Sequence, residues 1–286
     1  MDLAKGVTKI RQPHTGSSNG RQPHATEEPR VPSLEICNLT MRYGETIACH
    51  QLDFAVYAGE RIAIIGPNGA GKSTLFKAIV GLITPTIGRI LVDGRPRSRE
   101  HRLVSYVPQH EAVDWQFPAN VWDVVMMSRI RHIGYFKWPN KHDRQAVQSA
   151  LEKVEMWSLR KRQIGELSGG QRRRVFIARA LAQEARVLLM DEPFAGVDTA
   201  TEKDLFHVLD SLRSVGVGVV IATHNLGQAA THYDKVLMLN QEQIAYGRPS
   251  EIYTVENLAR TFGGYVTLQE DEGQHLVFSD DACCGE

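Results

Sequence analysis

Three separated stretches of this chain carry residue types suited to chemistry on a phosphorylated nucleotide. Gly66-Pro67-Asn68-Gly69-Ala70-Gly71-Lys72-Ser73-Thr74 matches the G-x-x-x-x-G-K-[ST] spacing of a phosphate-wrapping loop. Glycines let backbone N–H groups approach phosphate oxygens, and the helix behind the loop adds the positive end of its dipole. Lys72 is placed to reach the β- and γ-phosphates, and the Ser73 hydroxyl is suited to Mg²⁺. Far downstream, the apolar run Val187–Met190 ends in Asp191-Glu192. An acidic turn after a core strand is ordinary by itself, but beside such a loop it is expected to complete a site: Asp191 is placed to hold Mg²⁺, directly or through water, and Glu192 to polarise an attacking water. The third stretch is Leu167-Ser168-Gly169-Gly170-Gln171. Ser168 can cap the helix that runs through Arg172 to Ala182, while Gly169 and Gly170 leave its first N–H groups uncovered, which makes an anion site.

The elements that must position these residues follow from hydrophobic periodicity. Arg61–Ile65 has strand character and Lys72–Val80 has helical spacing, so the loop sits between a strand and a helix. Leu34–Tyr43 and Ile47–Val56 look like strands, the second with a half-buried face at Leu52, Phe54 and Val56. From Arg61 onward strands alternate with helices, which predicts an α/β fold with a parallel sheet covered on both faces. Between Gln109 and Val187 the pattern turns helical. Val121–Arg131 reads as a helix behind Asn120, and Val147, Ala150, Leu151 and Val154 trace one face of another. A helical subdomain of about residues 110–183 is therefore expected as an insertion in a domain spanning 33–264.

Outside that domain the sequence is plainer. Residues 1–32 are poor in apolar side chains and repeat Arg-Gln-Pro-His at Arg11 and Arg21, the composition of a disordered extension. Residues 265–286 form a tail ending near the vicinal pair Cys283-Cys284, and with Cys37 and Cys49 the cysteines lack structural-zinc spacing. A reducing compartment is the simpler reading. The 33 basic and 33 acidic residues balance, so nothing global points to nucleic acid. No apolar run approaches the ~20 residues needed to span a bilayer, and the N-terminus lacks a signal-peptide core. Any pore is expected to belong to another polypeptide.

With these residues in hand, the chain resembles the ATP-binding cassette (ABC) ATPases over roughly Leu34 to Gly264, because Leu167–Gln171 reads as that family's signature. The resemblance implies a P-loop cassette: a RecA-like, mostly parallel core, an N-terminal antiparallel β subdomain and the inserted helical subdomain. It also implies roles for residues that are weak signals alone. Gln109 matches the glutamine that contacts Mg²⁺ and senses nucleotide, and Asp198, in Ala195–Asp198, matches the loop after the catalytic glutamate. His224 matches the histidine at the γ-phosphate, and Tyr43 the aromatic ring that stacks on adenine. A lone histidine after a strand is usually structural and a lone glutamine usually solvated; order and spacing give these residues their meaning.

In the family the signature closes on ATP held by the opposite cassette. This chain has one loop and one signature, so a second cassette is expected as partner, most simply in a homodimer. Tyr106–Gln109, Val113-Asp114-Trp115, Phe117-Pro118, Arg162–Leu167 and Glu192–Asp198 resemble the ATPases of manganese, zinc and iron importers, with the manganese type closest. That subgroup implies integral membrane permease subunits, an extracytoplasmic metal-binding receptor met indirectly, ATP and Mg²⁺ as ligands, and a peripheral place on the cytoplasmic face of the plasma membrane. The aromatic residues gathered in His110–Trp138 are expected partly to pack the helical subdomain and partly to form its docking groove. Other classes stand as alternatives: a cassette ATPase in a non-transport process, or the ATPase of an exporter.

Overall fold

The computed structural model describes residues 30–97, 103–108, 117–134, 137–263, 267–271 and 275–279. Most of the N-terminal extension, Gln109, the aromatic residues Trp115, Tyr135 and Phe136, and Cys283-Cys284 lie outside the described residues. From Val31 onward the chain packs as one unit.

Strands β1 (Leu34–Tyr43) and β2 (Thr46–Val56) form an antiparallel hairpin about Gly44-Glu45. The alternation read from the sequence places Leu52, Phe54 and Val56 inside. Strand β3 (Arg61–Ile65) then enters the core, followed by the glycine-rich loop and helix α1 (Lys72–Val80), which stops at Gly81 in the left-handed conformation. Strands β4 (Ile87–Val92) and β5 (Arg95–Pro96) extend the sheet antiparallel beyond β1, and β6 (Val104–Val107) returns to the parallel core.

Helices α2 (Val121–Met127), α3 (Ile130–Ile133), α4 (Lys141–Lys153) and α5 (Gly169–Ala182) intervene before β7 (Val187–Asp191). Asn120 and Asn140 cap α2 and α4, each in a reciprocal box with the aspartate three residues on. The single helix expected over Val121–Arg131 is broken in two. The N–H groups of Ser128 and Arg129 bond to carbonyls three residues back rather than four, at 3.1 and 2.9 Å, which tightens the turn. Arg129 then points inward, only 2% exposed, with Nε 3.0 Å from Asp143 Oδ1 and Nη1 2.9 Å from the Ala182 carbonyl. Of the aromatic residues in this region, Trp122 packs edge-on against Trp157, whereas Phe117 and Trp138 are exposed.

The chain continues through α6 (Thr199–Ser214), β8 (Gly218–Ala222), α7 (Leu226–His232), β9 (Lys235–Asn240), β10 (Glu242–Gly247), α8 (Pro249–Ile252) and α9 (Val255–Phe262). A separate hairpin pairs β11 (Thr267–Asp271) with β12 (His275–Ser279). The ten-stranded main sheet runs β5-β4-β1-β2-β10-β9-β3-β8-β7-β6. Its β9-β3-β8-β7-β6 portion is parallel and its β5-β4-β1-β2 flank antiparallel. This is the predicted α/β arrangement with an antiparallel flank and an inserted helical part. Period-two alternation splits the central strands between two cores. Ala63, Ile65, Leu188, Met190, Val219 and Ile221 join the core that includes residues of α4, α5 and α6, whereas Ile62, Ile64, Leu189 and Val220 join residues of α1.

The buried Arg129–Asp143 pair ties α4 to the C-terminal end of α5. Burial alone would raise the Asp143 carboxyl, but the Asn140 N–H and the Arg129 guanidinium hold it below the ordinary carboxylate value. Its contribution to stability is therefore complete above about pH 4, the unfolded value, and is lost as pH falls through the lower native value. Asp143→Ala, which leaves the guanidinium without its main partner, should lower unfolding free energy by about 3 kcal/mol at neutral pH, measurable by urea titration.

Candidate functional site

Three neighbouring parallel strands end at one edge of the sheet. The register pairs Ile64 on β3 with Ala222 on β8, and Ala222 with Asp191 on β7. The segments at the ends of these strands therefore meet: the glycine-rich loop after β3, Asp191-Glu192 at the end of β7, and Thr223-His224 after β8. In open α/β sheets this carboxyl edge is where ligands bind. A cleft of about 390 Å³ lies there, lined by the loop from Asn68 to Thr74 together with Ala48, Asp191 and Glu192.

The loop is fixed by its own backbone. Ala70 N–H bonds to Pro67 O at 3.2 Å, Gln241 N–H bonds to Ala70 O at 3.0 Å, and Leu75 N–H bonds to Gly71 O at 2.9 Å as α1 begins. Gly71 caps that helix with φ 101°, and a Cβ there would run into the Ala48 carbonyl. Left-handed backbone and close approach together demand glycine. Lys72 is 8% exposed, its Nζ donating to the carbonyls of Gly66 at 2.6 Å and Pro67 at 2.9 Å. Burial pushes its ammonium down from the ordinary lysine value, opposed by Glu192 and Asp191. A cation desolvated in this way gains by meeting an anion that enters the cleft.

Beside it, Ser73 Oγ donates to Asp191 Oδ2 at 2.8 Å. The phenol of Tyr106 donates to the same carboxylate oxygen at 3.4 Å, and burial together with the Asp191 charge pushes that phenol up to about 12. Tyr106 thus remains a donor throughout the neutral range. A hydroxyl and a carboxylate oxygen side by side on the cleft wall are a hard-oxygen pair of the kind Mg²⁺ takes, so Ser73 and Asp191 fit that ion.

Glu192 comes next in the chain, with φ 46°, and its N–H bonds to the Ala222 carbonyl at 3.0 Å. A non-glycine residue keeps this conformation at a cost of about 1–3 kcal/mol, and such outliers gather at functional sites. Its carboxylate is 3.9 Å from Nδ1 of the exposed His224. A carboxylate at the cleft with an imidazole in reach can accept a proton from water and orient the groups around it.

Other residues singled out from the sequence lie apart from the cleft lining. Ser168 caps α5 as expected: its Oγ accepts from Gln171 N–H at 3.3 Å, and Gln171 Oε1 accepts from Ser168 N–H at 3.1 Å. Gly169 and Gly170 open that helix, in the helical insertion. Asp198 caps α6, accepting from Thr201 N–H and Oγ1 and from Ala200 N–H. The Thr201 bonds hold its carboxyl below the ordinary value. Tyr43 is half exposed at the end of β1, opposite Thr46, while Ala48 farther along β2 reaches the cleft. Gln109 lies outside the described residues.

Sequence reasoning missed Tyr106 as a partner of Asp191. The available signal was a phenol within an apolar strand, since a buried tyrosine hydroxyl needs a partner; which carboxylate it meets depends on the β6–β7 pairing. Among the described residues no cluster of three or more His, Cys, Asp or Glu side chains can hold a metal ion, and no helix is long and apolar enough to cross a membrane.

The chain is similar to several known proteins. The family profile described as ABC transporter matches residues 49–195. The manganese transport system ATP-binding protein MntB of Halalkalibacterium halodurans is 46% identical over 246 residues, which cover 86% of this chain and 98% of that protein. The chelated iron transport system membrane protein YfeB of Yersinia pestis is 44% identical, with 82% of this chain and 80% of that protein covered. Among solved structures, the ADP conformation of an ATP-binding cassette of an ABC transporter superposes with a TM-score of 0.71. It is 27% identical, with 80% of this chain and 96% of the other covered.

The Tyr106–Asp191 bond makes a specific expectation. Tyr106→Phe, which removes the donor but keeps the ring against Phe76, should raise the Mg²⁺ concentration for half-maximal nucleotide binding roughly fivefold, the equivalent of one net hydrogen bond. A magnesium titration of nucleotide binding measures it, and an unchanged midpoint would remove Tyr106 from the site.

Proposed function

Because the chain belongs to the ABC transporter family of ATPases, we propose that it is the ATP-hydrolysing subunit of an importer of divalent metal ions, with manganese as cargo. The observation that carries this reading is the 46% identity that extends over 98% of the manganese transport protein from Halalkalibacterium halodurans. Zinc and iron are the competing cargoes. Residues 33–264 form the cassette, acting at the cytoplasmic face of the membrane with separate permease subunits and no nucleic-acid partner. An extracytoplasmic receptor selects the metal. The exposed Phe117, Met127, Ile130 and Trp138 on the helical insertion suit the permease contact.

In this reading the backbone N–H groups of Gly66 to Thr74 and the Lys72 ammonium hold the ATP phosphates, and Tyr43 stacks on adenine. Ser73, Asp191 and Gln109 hold Mg²⁺, which when bound neutralises phosphate charge. Glu192 accepts a proton from the water whose oxygen attacks the γ-phosphorus; the bond to the β–γ bridging oxygen breaks, and ADP and phosphate leave. His224 orients the γ-phosphate. Ser168 to Gln171 of a second copy close on that phosphate, with Asp198 at the junction, so that tighter binding of ATP by the closed pair drives the change in the permease.

Glu192→Gln should lower hydrolysis by roughly 10²-fold or more while ATP binding persists; near-normal turnover would remove Glu192 from the base role. Cargo is tested by deleting the gene and measuring uptake with manganese, zinc and iron limited in turn. Manganese uptake should fall, and unchanged uptake of all three would sink the importer reading.

A further inference from the structure

A partly buried cation stands between the signature helix and the turn that carries Glu192. Arg173, in the first turns of α5, donates from Nη2 to the carbonyl oxygen of Ala195 at 2.8 Å. On its other side the guanidinium reaches the start of the helix, for a Cβ on Gly169 would stand 3.6 Å from Nη1. Burial pushes this guanidinium down from its ordinary value, so it is held where water screens it poorly.

Ala195 does not sit in a loose loop. Its own N–H bonds to the carbonyl of Glu192 at 3.2 Å, and the N–H of Glu192 bonds to Ala222 of β8 at 3.0 Å. Three hydrogen bonds in series therefore run from α5 through Ala195 and Glu192 to the central sheet. Glu192, inside this series, keeps a left-handed φ of 46°, which a non-glycine residue holds only where its surroundings impose it. A second contact runs alongside: Gly170 packs so closely under Thr201 that a Cβ there would stand 2.5 Å from Cγ2. Thr201 is in turn bound by Asp198. The beginning of α5 and the segment 195–201 are thereby tied side by side.

We propose that Arg173 is a positioning residue for hydrolysis, which locks the Glu192–Ala195 turn to the signature helix so that the Glu192 carboxylate keeps its working geometry. Arg173 does not touch the reacting atoms; it acts through Glu192, and the proposal rests on Glu192 being the base. Lysine at this position retains one donor for the Ala195 carbonyl, whereas alanine retains none.

The test uses the full chain in wild-type form and as Arg173→Ala, Arg173→Lys and Glu192→Gln. Arg173→Ala should lower kcat about tenfold, the change that loss of one charged hydrogen bond can produce, with ATP affinity and melting temperature unchanged. Arg173→Lys should restore most of the rate. Hydrogen exchange of the amides from Glu192 to Ala195 should quicken in Arg173→Ala while that of the phosphate loop does not. A wild-type kcat in Arg173→Ala overturns the proposal. So does a loss of rate accompanied by lost ATP affinity and lowered melting temperature without rescue by lysine, because that pattern marks a merely structural arginine. Wild-type hydrolysis by Glu192→Gln would instead refute the base assignment beneath it.

Discussion

The parallel register of β3, β8 and β7 is the constraint on which the candidate site depends. Ile64 faces Ala222 and Ala222 faces Asp191, so the glycine-rich loop, the two carboxylates and His224 leave the sheet at one edge. A slip of one residue would turn Ile62 and Ile64 toward the opposite core and carry Asp191 away from Ser73, because side chains alternate with a period of two. The two apolar cores resist that slip. Each is built from every second residue of the same strands, and both faces would be wrong at once.

On that edge a few polar contacts set the chemistry. Ser73 and Tyr106 converge on one oxygen of Asp191, and Lys72 is held against the loop by two carbonyls. The helical insertion is braced separately by Arg129, whose buried guanidinium joins α4 to the end of α5. That brace lies at the opposite end of α5 from Ser168. The signature helix is thus anchored at its C-terminal end and, through Arg173 and the contact of Gly170 with Thr201, beside the segment 195–201, while Ser168 and Gly169 at its start are exposed.

Local structure was legible in the sequence almost to the residue. The run Arg61–Ile65, the loop template and the helix Lys72–Val80 match β3 and α1, because a glycine-rich turn between a strand and a helix marks both boundaries. Ser168 as a cap was legible for the same reason. The break at Ser128 was not, since Val121–Arg131 is apolar with helical spacing and the residues that hold Arg129 inward, Asp143 and Ala182 among them, are distant in the chain. Nor was the left-handed backbone of Glu192, or the meeting of Tyr106 with Asp191, which arise from pairings across the sheet. Likeness to metal-transport ATPases rested on wording such as Glu192–Asp198 and not on any set of metal ligands.

In the proposed mechanism Ser168 to Gln171 complete the nucleotide site of a second copy rather than their own. Ser168→Arg places a bulky cation at the cap without touching Lys72, Ser73 or Asp191, so the most direct measurement is ATP binding and ATP hydrolysis by this variant, together with its sedimentation in the presence of ATP. Ser168→Arg should bind ATP with wild-type affinity, stay monomeric and fail to hydrolyse it. Normal hydrolysis by Ser168→Arg would contradict this mechanism.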